Sequence, residues 1–200
     1  MRRLESISRL SVVSARGIVR AHGLRRYSLG IAASLLLACT PEYNWREIKN
    51  LGDGYQVMLP AKPITATREI NLDGAKVTMT VSAAQVNDTL FSVGTVTLPA
   101  DSSAQRAGAL AAMRAQMVRN LNARETKASH RDIALLNFSG APLSRVASTQ
   151  IEANGSTQPK QIMGGFTAHG NKAYQFLVIG DKLDLESSRY FIDSFRLIQQ

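Results

Sequence analysis

Two hundred residues allow one domain, or one domain with a tail. The composition, 44% hydrophobic and 20% charged with 14 Gly and 6 Pro, excludes a collagen, a coiled-coil rod and a wholly disordered chain, and the single Cys excludes an internal disulfide framework or a Cys-rich metal site. The net charge of +9 is unevenly placed: residues 1–38 hold seven Arg and one Glu, while residues 39–200 hold 17 Lys and Arg against 14 Asp and Glu. With so thin an excess after residue 38, and no basic run interleaved with aromatics, nucleic acid is not expected as a partner.

Arg25-Arg26 precede an uncharged apolar run over 27–38. A bilayer core needs roughly 20 helical residues, so this run is too short to span. A basic segment before a short apolar one is the layout of a secretory signal. The run ends at the sole Cys, and Leu36-Leu37-Ala38-Cys39 resembles the lipobox of bacterial lipoproteins. The resemblance implies a signal-peptidase site at Leu36, Leu37 and Ala38, with the small Ala38 just before the cut. It also implies lipidation of Cys39, whose thiolate accepts the diacylglycerol and which becomes the new N-terminus. Two or three acyl chains anchor stably where one would be marginal. The implied partners are the lipid bilayer and the lipoprotein-processing and sorting machinery. Thr40 rather than Asp follows the Cys, which by the same resemblance favours the outer membrane, facing the periplasm. The periplasmic face of the inner membrane is the alternative. Arg25-Arg26-Tyr27-Ser28-Leu29 partly resembles a twin-arginine signal, but Ser28 stands where that pattern prefers Phe, so the general secretory route is expected. Residues 1–24 exceed a usual basic segment and are either an over-long start or an extension. The expected organisation is therefore a leader over 1–38, a lipidated tether over 39–43 and one domain over 44–200.

Within that domain, Tyr55–Leu59 alternates with period two and stops at Pro60, which predicts a strand. Strands over 64–72 and 75–84 follow, joined at Asp73-Gly74, a dipeptide suited to a tight hairpin turn. Asn87-Asp88 marks another turn before a strand over 90–98. The period then changes. Asp101-Ser102-Ser103 offers cap oxygens, and residues 104–122 are rich in good helix formers, with Leu110, Met113, Met117 and Leu121 at helical spacing. Residues 124–131 read as a charged connection. Strands are expected over 133–138, 143–153, 157–167 and 173–179, with turns at Asn154-Gly155 and Gly170-Asn171 and a bulge at Gly164-Gly165. Asp184 caps a short helix, and residues 195–198 close the chain.

Runs of strands around two helices predict an α+β fold: a mainly antiparallel sheet of about six to eight strands with one long and one short helix packed on it. The segments Gly54–Pro63 and Tyr190–Leu197 resemble the opening strand and closing segment of PsbP/DcrB-like envelope proteins. That resemblance implies an α/β/α sandwich over most of 44–200, and a fold used mostly for docking or accessory roles.

Catalytic patterns are not found. His130 and His169 are isolated from each other in sequence and from other ligands, so no metal or other cofactor is expected. No Gly-x-Ser-x-Gly nucleophile turn occurs, and Gly164-Gly165 lacks what a phosphate loop needs. Asp181, Asp184 and Glu186 read as complements to a helix N-terminus. Arg114 falls inside the apolar arc of the 104–122 helix. It reads either as a stem covering apolar surface or as a contact to a carboxylate of a partner. The expectation is a non-enzymatic, membrane-anchored periplasmic lipoprotein that acts as an interaction or accessory module, with an envelope protein as partner. The alternative is a carrier of a small apolar ligand, held between helix 104–122 and the sheet.

Overall fold

The computed structural model describes residues 42–72 and 74–199. They build ten strands and two helices: β1 (Arg46–Asn50), β2 (Tyr55–Leu59), β3 (Ile64–Leu72), β4 (Ala75–Val86), β5 (Thr89–Thr97), α1 (Ser103–Asn120), β6 (Ala123–Leu136), β7 (Pro142–Gly155), β8 (Gln161–His169), β9 (Lys172–Gly180), α2 (Leu185–Ser194) and β10 (Arg196–Ile198). All ten strands join one sheet in the order β1-β2-β10-β6-β7-β8-β9-β5-β4-β3. Neighbours are antiparallel except β10 and β6, which run parallel.

The expected α+β fold with about six to eight strands is thus corrected to a larger, mixed sheet that dominates the described residues. Two segments account for much of the difference. β1 is a charged edge strand, Arg-Glu-Ile-Lys-Asn, of the kind that protects a sheet edge and shows little hydrophobic alternation. The expected charged connection over 124–131 is the outer arm of β6, paired with β7 from Ala123 opposite Gly155 onward. Both faces of that arm are largely exposed, so no period-two signal marks it.

Three expected turns are two-residue hairpins. Leu72 pairs with Ala75 around Gly74 (φ +87°), Val86 with Thr89 around Asn87 (φ +52°), and His169 with Lys172 around Gly170 (φ +57°). Asn154-Gly155 departs from expectation: both residues belong to β7, and the connection covers 156–160. Pro159 lies in that stretch and cannot donate to a ladder, so pairing with β8 begins only at Gln161. Gly164-Gly165 is not a bulge either, because the register of β8 is continuous with both neighbours. A Cβ on Gly165 would stand 2.1 Å from Cζ of Phe176, and one on Gly164 2.5 Å from Cδ2 of Leu177. The two glycines let those cross-strand side chains fold over the β8 backbone. The irregularities lie in β6, between Glu125 and Lys127 and between Leu135 and Leu136.

Alternation along β9 divides the core. Phe176 and Val178 join Phe91, Phe191 and Phe195 under α2, where the Phe176 and Phe195 rings stack at 4.4 Å. Leu177 joins Met79, Ile151, Ile162 and Phe166 under α1, which buries Ala109, Met113 and Met117 at four-residue spacing. The helices therefore cover opposite faces. The Ser102 hydroxyl caps α1 by accepting from Gln105 N at 3.2 Å. The Asp184 carboxylate caps α2 by accepting from Ser187 N at 3.2 Å, and hydrogen bonding to Ser187 lowers its pKa. Both clusters are made of residues from Tyr43 to Ile198, so the unit formed by residues 42–200 carries its own hydrophobic core.

Candidate functional site

α1 crosses β6, β8 and β9 and reaches β3, but it leaves a gap over the β4–β5 part of the sheet. The sequence explains why the gap is not filled. On the face toward α1, β5 presents only the small Ser92 to the gap, while the room over Gly94 is taken by Gln175 and Met79. The result is a cavity of about 360 Å³ between Met113 and Met117 of α1 and Met79, Val81, Ser92, Gln175 and Leu177 of the sheet. Ala66, Thr67 and Arg68 of β3 and Asn120 of α1 are its exposed lining residues and form the mouth. This volume and this mostly apolar lining with a few polar groups are usual for a small-molecule site.

Two of the polar groups have only a thioether as side-chain partner. Gln175 is only 8% exposed, and its Nε2 meets the Met79 sulfur at 3.8 Å. A thioether is a weak acceptor. The space for this amide exists because position 94 is glycine: a Cβ there would stand 3.1 Å from both Gln175 Cγ and Met79 Sδ. Arg68 Nη2 donates to the same sulfur at 3.7 Å. Among the described residues Arg68 forms no ion pair, whereas Arg106, Arg114 and Arg131 pair with Asp101, Glu125 and Asp193. Among the described residues that line the cavity there is no Asp or Glu, and Arg68 carries the one formal charge.

The residues singled out from the sequence lie elsewhere. Arg114 does not reach outward: its Nε donates to Glu125 Oε1 at 2.7 Å, and its Nη2 bonds Oε2 of the same carboxylate. This fork raises the Arg114 pKa and lowers that of Glu125, chiefly through the hydrogen bonds between them. The carboxylate that Arg114 meets is thus its own chain's. His130 sits on β6 rather than in a connection, and His169 ends β8 beside a separate depression with Asp101 and Lys172. Among the described residues no three His, Cys, Asp or Glu side chains gather as a metal site would need. Asp181 pairs with Lys160, and Asp184 is the α2 cap. Leu36, Leu37, Ala38 and Cys39 lie outside the described residues. No described helix is long and apolar enough to cross a membrane.

Arg68, the charged residue of the lining, and Gln175, its buried amide on β9, stand out among the polar residues there, which also include Thr67, Ser92, Gln116 and Asn120, and only Gln175 leaves a trace in the sequence. Gln175 interrupts the otherwise nearly all-apolar Ala173–Ile179 run of a central strand, where a buried polar residue needs a reason. Arg68 looks like any exposed strand arginine until α1 is placed beside it. No family model matches the chain, and no curated protein matches it.

Proposed function

We propose that this protein is a non-catalytic binding module of the bacterial envelope, anchored through acylated Cys39 to the outer membrane and facing the periplasm, which holds a small, largely apolar ligand between α1 and the sheet. The cavity of about 360 Å³ is the observation that carries this reading. Its Met side chains support it, because the unbranched thioether chain adapts its shape to what it contacts. The short apolar run ending in Leu36-Leu37-Ala38-Cys39 supports the anchoring.

The test uses residues 42–200 and the neutral fluorophore N-phenyl-1-naphthylamine. Saturable binding is expected, and it is expected to be lost in Val81→Phe, which places a ring in the cavity from a half-buried wall position. Absence of saturable binding, or undiminished binding by a Val81→Phe protein that still melts cooperatively, would overturn the reading. A second reading, docking of an envelope protein, is favoured by Phe138 (69% exposed) in the β6–β7 connection and Leu143 (48% exposed) at the start of β7, which both stand in solvent.

A further inference from the structure

Resting on the cavity as a ligand site, we infer that its ligand is a single-chain amphiphile with an anionic head group, the head group bound by Arg68 and Gln175 and the chain lying against Met113, Met117 and Leu177. Charge is the first argument. The lining holds one guanidinium and no carboxylate, so an anion is attracted and a cation repelled. Arg68 stands at the mouth with a sulfur as its side-chain partner, which leaves most of its five donors available to a ligand oxygen.

The buried amide is the second. Gln175 is more than nine-tenths buried and aimed into the cavity, and the contact of its Nε2 with a thioether is a poor substitute for a hydrogen bond to oxygen. Arg68 Nη2 and Gln175 Nε2 lie 3.7 and 3.8 Å from the same sulfur and so stand at most 7.5 Å apart. A head group with two or three oxygens between them accepts from both. Met79 need only swing its flexible end aside.

Size is the third. At about 30 Å³ per water-sized group, 360 Å³ takes on the order of a dozen non-hydrogen atoms. That fits one chain of about ten to twelve carbons, its head group reaching Arg68 at the open mouth. A diacyl lipid is too large to enter whole.

A free fatty acid and a phosphate-headed single-chain lipid share this chemistry, so the experiment compares both. Dodecanoate, dodecyl phosphate and dodecyltrimethylammonium, below their micelle concentrations, and dodecanol, below its solubility limit, are titrated calorimetrically into residues 42–200. At least one anion is expected to bind about tenfold or more tighter than dodecanol, as a charge-assisted hydrogen bond allows. The cation is expected to bind weakest, and the tighter anion identifies the source. Arg68→Gln, an exposed position, is expected to bring the anions to within a few-fold of dodecanol, with a much smaller loss for dodecanol itself. Dodecanol or the cation binding as tightly as the anions, or an unaltered anion affinity in Arg68→Gln, overturns the head-group assignment while the cavity reading stands. No binding of any of the four to the folded protein overturns both.

Discussion

Arg114 grips both carboxylate oxygens of Glu125 through its Nε and Nη2, and the consequence is a dependence on pH. The folded-state pKa of Glu125 is depressed, so the pair's contribution is fully present above the ordinary glutamate pKa and is lost as pH falls through the lower folded value. Both side chains are partly exposed, which limits the pair to about 1 kcal/mol or less at pH 7. Urea unfolding of the wild type and of Arg114→Met should therefore show a small stability gap at neutral pH that closes as the pH is taken below about 4. A gap of constant size down to pH 3 would mean that the arginine contributes through its stem rather than its charge. The same residue shows how far a sequence can be read. Its place in the apolar arc of a helix is visible from spacing. Its partner is not, because Glu125 lies on β6, in a stretch that reads as a charged connection.

Among the elements, those whose two faces differ are the legible ones. β2, α1 and the tight hairpins are marked by period, capping residues and glycine or asparagine at positive φ. β1 and the outer arm of β6 are not, since exposure on both faces removes the alternation. β8 fails for the opposite reason. Its glycine pair suggests an irregularity, whereas the strand is regular and the glycines serve the side chains of β9. Gly165→Ala puts a methyl group into the Phe176 ring that stacks on Phe195, so overpacking of about 2–3 kcal/mol is expected. Denaturant titration checks it. Loss of less than about 0.5 kcal/mol, the size usual for an uninvolved surface site, would show that the ring can move aside freely.

Over the whole molecule, the three residues of β10 join the β1–β2 hairpin to β6 and so to the rest of the sheet. Leu197 and Ile198 are both buried. Losing two such side chains together with the ladder they complete approaches the total stability of a domain, about 5–15 kcal/mol. A chain ending at Phe195 should lack a cooperative thermal transition. An unchanged melting temperature would mean that the hairpin is held by α2 alone. At this scale the sequence shows many strands and two helices but not their order. The parallel β10–β6 pair and the gap beside α1 depend on which distant segments meet. The cavity lies where β5 offers only the small Ser92 and α1 leaves β4 and β5 uncovered, a combination that neither element reveals alone.

The cavity is the centre of this account, and its methionines make it directly observable. Residues 42–200 labelled with ¹³C at the methionine methyl groups should be titrated with dodecanoate and followed by methyl NMR. Met79, Met113 and Met117 line the cavity, while Met58 and Met163 lie outside it and serve as internal controls. Saturable shifts confined to the first three, absent in Val81→Phe, are the predicted result. Shifts at Met58 or Met163 of equal size, or no shift at Met113 and Met117 at saturating ligand, would contradict it.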